Sequence, residues 1–292
     1  MDLPKTGSIR SGELETINII LENISPNETL LQFLNRFRSK LSKSENLVYQ
    51  FLRPPFDLFQ FLNNEHQSID KLNDRVYLVH SHIGKFIYKY DEQRNANSLS
   101  FITSLFAKAC HINTPNLILA NLHDFDFRPK YVGKDRSVQI MDYLPNWQDY
   151  SMEHPRGDNF VPQLASLLAF DLVIGNGDRF LFIFRKIDNI LFVKDPEYEQ
   201  MDLWFDPIIN EGNFGFVNSD LWSLDCRSSN LEYILKIHRL LDKEFLKECT
   251  QLMSLFFKLD RNEAVIFEIK LNTYLARYMK LFPRFVQLYH LI

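Results

Sequence analysis

The period of the apolar residues changes along this chain of 292 residues, from helical to alternating and back to helical, and that order restricts the folds open to it. From Glu13 to about Asn64 the apolar positions recur at helical spacing: Ile17, Ile20, Leu21 and Ile24, then Leu30, Leu31, Phe33, Leu34 and Phe37. Ser25-Pro26-Asn27-Glu28 reads as a break followed by a helix start, and Pro54-Pro55 interrupts again. Two or three short helices are expected here, packed on the outside of the remaining chain. The texture then turns to strands: Val76 to His80 and Lys85 to Tyr90, rich in Val, Ile, Tyr and Phe, lie either side of Gly84 and predict a hairpin.

Asn95 to Cys110 carries Leu99, Ile102, Leu105, Phe106 and Ala109 on a helical period, which Pro115 ends. Asn116 to Ala120 and Ser137 to Leu144 read as strands, the second running into a turn at Pro145. Val161 to Ile174 is an apolar helix stopped by Gly175-Asn176-Gly177. Phe214 to Asp225 reads as two short strands around Asn218-Ser219-Asp220, and from Leu231 onward the pattern predicts about three helices. A strand-rich stretch before a helix-rich one argues for an α+β molecule of two lobes. The expected division is a helical extension over 1–64, a β-rich lobe over 65–144 and a helical lobe over 145–292.

Charge and composition exclude several classes. A net charge of −4 with dispersed basic residues does not fit a nucleic-acid binder. The densest basic group, Arg36, Arg38, Lys40 and Lys43, lies in a helix-like stretch and reads as a solvated face. Three scattered cysteines, Cys110, Cys226 and Cys249, make neither a disulfide framework nor a zinc site. No apolar run approaches the ~18 residues that span a bilayer, and Met1 to Glu13 is too polar for a secretion signal. A cytoplasmic-type, reducing compartment is expected, and delivery into a host cell's cytosol would suit the low-glycine texture.

Three segments carry chemistry. Phe86-Ile87-Tyr88-Lys89 sets a lysine on an apolar strand, where its charge is costly unless it meets something anionic or stays solvated at an edge. Asp171 to Phe180 packs polar residues into a glycine turn directly after an apolar helix, a way of displaying side chains at fixed geometry. Leu221-Trp222-Ser223-Leu224-Asp225 ends on an aspartate, and carboxylates from separate loops can share a divalent cation.

In this order the three segments resemble the protein-kinase-like enzymes, and most of all the atypical branch that includes actin-fragmin kinase and the phosphatidylinositol 3-/4-kinases. There a loop of the form Asn-x-Asp-Arg replaces the conventional His-Arg-Asp, and Asn176-Gly177-Asp178-Arg179 fits it. Asn210-Glu211-Gly212-Asn213-Phe214-Gly215 is similar to the glycine-asparagine segment that follows this loop in actin-fragmin-kinase-like sequences. The likeness runs roughly from Ser68 to Asp225.

It implies a bilobal protein-kinase-like fold, with the β-rich lobe in front, the helical lobe behind and the N-terminal helices added. It implies ATP and Mg²⁺. Lys89 would pair with the nucleotide's phosphates, and Asp178 would take the proton of the acceptor hydroxyl. Asp225 would hold the metal with Asn213 as second ligand, Asn189 being the rival for that place. Met141, Asp142 and Tyr143 would hold adenine through their backbone, Ser68 would lie in the loop covering the phosphates, and Arg179 would brace the catalytic loop. The implied acceptor is a protein Ser or Thr hydroxyl, although branch relatives phosphorylate lipid headgroups and related folds transfer AMP.

The chain departs from the family in four places. Asn97-Ser98-Leu99-Ser100-Phe101 stands where a helix glutamate would pair with the strand lysine, and no Gly-x-Gly-x-x-Gly precedes the hairpin. Cys226 follows Asp225 in place of Phe-Gly, and Phe216 stands where relatives often carry a second asparagine. A pseudokinase acting as a binding module, and a helical interaction protein with an accidental likeness, are the other classes open to the sequence. The remaining conspicuous residues have plain readings. His80-Ser81-His82 and His123 to Asp126 are turn or loop residues, Trp147, Trp204 and Trp222 are core or interface aromatics, and Leu252 to Phe257 is a buried helix face.

Overall fold

A computed structural model of the protein describes residues 12–30, 32–34, 36, 68–72, 76–81, 84–89, 96–112, 114, 117–121, 137–143, 158–176, 179, 180, 183, 207–210, 213–216 and 231–292. They form a mixed α+β structure with a small antiparallel sheet and mostly helices. The chain divides into two compact units, one of Met1–Pro145 with Arg284–Ile292 and one of Asn146–Pro283. Among the described residues no helix is long and apolar enough to cross a membrane.

The first unit is built on five strands: β1 (Ser68–Lys71), β2 (Val76–Ser81), β3 (Gly84–Lys89), β4 (Leu117–Asn121) and β5 (Ser137–Asp142). Their order is β1-β2-β3-β5-β4, every neighbouring pair antiparallel. Helix α2 (Ala96–Ala109) connects β3 to β4, so β5 enters between the two strands that α2 joins. Phe86, Tyr88, Ile118, Val138 and Ile140 point to one face, and Leu117, Leu119, Gln139, Met141 and Lys89 to the other; all are buried. Burial of both faces is why these strands read as near-continuous apolar runs.

Helix α2 packs on β4 and β5, and also on α1 (Gly12–Asn23). Contact on two sides accounts for the burial of its polar positions Asn97, Ser98, Ser100, Thr103 and Ser104 along with its apolar ones. The helical residues 30, 32–34 and 36 begin with a reciprocal cap: Thr29 N–H donates to Gln32 Oε1 at 3.0 Å and Gln32 N–H to Thr29 Oγ1 at 3.3 Å. Arg36 grips Glu28 with Nε and Nη2, each at 2.7 Å, and gives Nη2–H to Asn23 O at the end of α1. Arg36 therefore joins two helices from a part-exposed position; Arg38, Lys40 and Lys43 lie outside the described residues.

The core of the second unit is α3 (Phe160–Ile174), buried almost all round. Helix α4 (Leu231–Leu240) and strand β7 (Asn213–Phe216) pack on it, and Ser166 Oγ meets Tyr278 OH of α6 (Arg261–Tyr289) at 2.6 Å. Helix α5 (Lys243–Phe256) is capped by Asp242, which accepts from Phe245 N–H, and Asp260 and Glu263 form a reciprocal box at the start of α6. Three C-terminal helices were expected and three are present. On α5 and its end, Met253 and Phe257 are buried but Leu255 is 79% exposed, so the Leu252 to Phe257 stretch is not one uniformly buried face.

One strand expectation changes and one is met in part. Strands β6 (Pro207–Asn210) and β7 pair antiparallel with Asn210 opposite Asn213, and β7 covers the start of the expected Phe214 to Asp225 stretch. Residues 217–225 lie outside the described residues. Ser68–Lys71, expected as part of a phosphate-covering loop, is the edge strand β1.

Candidate functional site

Lys89 is the last residue of β3 and only 2% exposed. It stands opposite Val76 of β2 and Gln139 of β5, and Gln139 stands opposite Leu119 of β4. Directly opposed residues of antiparallel strands share a face, so these four form one row across the sheet. Helix α2 covers that face at Gln139, because Gln139 Nε2–H donates to Asn97 Oδ1 at 2.9 Å. Asn97 Nδ2–H in turn donates to Ser137 O at 2.9 Å. The stretch of α2 that lacks a glutamate thus places a buried neutral amide, doubly bonded to β5, beside the lysine row. Gln139 Oε1 is buried without a hydrogen-bond partner among the described residues.

The other expected nucleotide-side residues occupy the same sheet. Met141 is buried two positions along β5 from Gln139, on the same face, opposite Ile87 and Leu117. Asp142 closes β5 opposite Phe86, and the half-buried Tyr143 follows with Lys85 Nζ 5.5 Å from its ring centroid. Ser68 pairs with His80, four residues along β2 from the Val76–Lys89 row, or about 13 Å at the usual strand rise. Leu72, directly after β1, donates its N–H to the main-chain oxygen of Val76, the residue opposite Lys89. His80, one of the paired imidazoles, lies 2.8 Å from Asp70 Oδ2 across the β1–β2 edge.

In the second unit the end of α3 is built around Asp171, which is fully buried. Its main-chain oxygen accepts from Gly175 N–H and from Asn176 N–H, closing the helix, and Gly175 has the left-handed φ of 71°. Its carboxylate does a separate task. It accepts from Arg179 Nε at 2.7 Å, from Arg179 Nη2 at 3.3 Å and from Asn176 Nδ2 at 3.1 Å. Asn176 and Arg179 are themselves buried. Against Gly175 packs α4: a Cβ there would lie 3.0 Å from Ile234 Cγ1 and 3.4 Å from Ile237 Cδ1.

Asp178, Asp225 and Asn189 lie outside the described residues. Asn213 begins β7, opposite Asn210. Among the described residues no group of three or more His, Cys, Asp or Glu could hold a metal ion. Within its unit the structure gathers Lys89, Gln139 and Asn97, and within the other Asp171, Asn176 and Arg179. Sequence reasoning gave no role to Gln139 or Asp171. Both carried a signal: each is a polar residue between apolar neighbours, Gln139 between Val138 and Ile140 and Asp171 between Phe170 and Leu172, and a buried polar residue needs a partner.

No known protein family matches the chain, and no curated protein does.

Proposed function

We propose that the chain is an atypical ATP- and Mg²⁺-dependent kinase that transfers the γ-phosphoryl group to a hydroxyl, that of a protein Ser or Thr. The observation that carries this reading is Lys89, a cation 2% exposed at the end of a strand within a row of Val76, Gln139 and Leu119. Burying a cation is costly unless its charge is paired or used. A triphosphate is a use that fits. Further support comes from the Asn176 to Arg179 segment, whose two ends are both bonded to Asp171.

In this reading Asp178 accepts the proton of the acceptor hydroxyl as its oxygen bonds to the γ-phosphorus. The bond from that phosphorus to the β–γ bridging oxygen breaks, and ADP leaves with the electron pair. Lys89 neutralises phosphate charge, and backbone groups of Met141 to Tyr143 hold the adenine. Asp225 and Asn213, with Asn189 as the rival to the latter, offer carboxylate and amide oxygens, the hard donors that suit Mg²⁺. Bound there, the ion would neutralise charge on the triphosphate.

Asn97 favours a second reading, a nucleotide-binding module without turnover. Where the family pairs the strand lysine with a glutamate, an amide bonded to Gln139 and Ser137 stands instead. A thermal-shift titration with ATP, with and without Mg²⁺, on wild type and Asp225→Ala tests both, since a ligand that binds the native state raises its melting temperature. A Mg²⁺-dependent rise that the variant loses, together with phosphoryl transfer, is the result expected of the kinase. A rise without transfer leaves the module, and no rise under any condition overturns both.

A further inference from the structure

We infer that Asp171 is the positioning residue of the loop that carries Asp178: it ties down the chain on both sides of that residue and pairs with Arg179. The role assigned to Asp178 rests on the proposed kinase function; the clamp itself rests on geometry.

Two functions of Asp171 separate cleanly. Its main-chain oxygen ends α3 by accepting from Gly175 and Asn176, a task any residue type could perform. Its carboxylate reaches into the loop, taking one bond from Asn176 and two from Arg179. A buried carboxylate in an apolar helix is expensive and contributes nothing to closing that helix. What it does accomplish is to fix residues 176 and 179. Those two residues are the immediate described neighbours, in sequence, of the Gly177-Asp178 pair. Arg179 gives Nε–H and one Nη2–H to Asp171 and is itself buried, which suits bracing the loop. Gly175 packed against Ile234 and Ile237 of α4 gives the clamp a firm base.

The test uses the full chain as wild type, Asp171→Asn, Arg179→Met and the double variant. Two quantities are read: hydrogen exchange of the amides at 175–180, and ATP turnover with water as acceptor, as phosphate released. Asn in place of Asp171 keeps the main-chain cap and the side-chain shape. It is expected to speed exchange at 175–180 at least ~10-fold while α3 and α4 stay protected. The turnover number should fall on the order of 100-fold with the KM for ATP unchanged, as for a misplaced catalytic group. The double variant should be less destabilised than Asp171→Asn, because no buried guanidinium is left without its carboxylate. If Asp171→Asn fails to fold, Arg179→Met removes the same ion pair from the loop side and is held to the same expectations.

Unchanged exchange at 175–180 overturns the clamp, as does faster exchange spread equally over α3 and α4. A rise in KM at constant turnover number overturns the positioning role. A wild type without ATP turnover, but with exchange that responds locally to Asp171→Asn, retires the kinase reading and keeps the clamp.

Discussion

Lys89 and Gln139 stand directly opposite each other on β3 and β5, and Gln139 passes that row on to α2 through its 2.9 Å bond to Asn97. A cation, an amide and a second amide thus occupy consecutive positions from β3 through β5 to α2. Nothing about packing alone requires them there. The first prediction concerns the cation. Lys89→Met nearly keeps the length of the side chain and removes its charge. The ATP-dependent rise in melting temperature should disappear. A variant that still responds to ATP would remove Lys89 from the nucleotide site.

Asn97 is expected to be structural first. Asn97→Ala strips Gln139 Nε2–H of its acceptor and Ser137 O of its donor, inside a helix–sheet junction that is fully buried. Leaving such groups unsatisfied costs about 1–3 kcal/mol each. Chemical denaturation should therefore show a loss of about 2 kcal/mol or more, whereas an Asn97→Ala protein as stable as wild type would mean that the two bonds contribute nothing.

Local chemistry made much of this fold readable in advance. Helix α2 was expected over Asn95 to Cys110 and runs Ala96–Ala109, and α3 was expected from Val161 and begins at Phe160. Both are long, strongly periodic and stopped by punctuating residues. Strand β1 escaped notice because Ser-Ile-Asp-Lys has one apolar residue and becomes a strand only through pairing with β2. The Asn97–Gln139 contact was equally hidden: forty-two residues separate the partners, and they meet only because β5 inserts between β3 and β4. Asp171 and Arg179 are eight residues apart and were within reach of the rule that a charge in an apolar helix needs a counter-charge. Asp178, Asp225 and Asn189 have their expected roles from the family resemblance and lie outside the described residues.

Gly175 offers a sharper test of the α3–α4 junction. Its φ of 71° is left-handed, and a Cβ would come within 3.0 Å of Ile234. An alanine there incurs about 1–2 kcal/mol for its backbone alone, and the crowding at Ile234 adds to that. Gly175→Ala should lower the melting temperature by several degrees, at about 2–4 °C per kcal/mol for a domain of this size. An unchanged melting temperature in Gly175→Ala would mean that neither the left-handed backbone nor the approach to Ile234 matters at this junction.

The Glu28–Arg36 pair predicts behaviour in acid. The hydrogen bonds from Arg36, aided by Ser25 N–H, bring the Glu28 carboxyl from its ordinary 4.5 down to about 2. A depressed folded pKa means that the stabilisation is complete above 4.5 and is lost as pH falls from 4.5 through about 2. Glu28→Gln should flatten the acid limb of the stability profile over that window, and added salt should shrink the difference because the pair is near the surface. Superimposable acid limbs for the two proteins would show that the pair does not couple to folding.

His238 should act at milder pH. It sits in the last turn of α4 with Nε2 2.8 Å from Val173 O, and its ring meets that of Phe282 edge-on at 4.5 Å. Because Val173 O can only accept, Nε2 carries a proton in either charge state, and a neutral imidazole already satisfies the bond. Taking up a second proton at Nδ1 adds only a partly buried charge. Burial accordingly pushes the imidazole below its ordinary 6.5, outweighing the opposite pull of the Val173 bond. The unfolded chain takes up this proton near 6.5, and the folded chain only at lower pH. The associated stability is therefore complete above 6.5 and declines as pH falls through that value towards the folded pKa, levelling off below it. Denaturation at a pH above 7 and again near 5.5 should show wild type losing more than His238→Gln, which keeps an N–H for Val173 O but cannot titrate. Equal losses in the two proteins would place the pH dependence of this unit elsewhere.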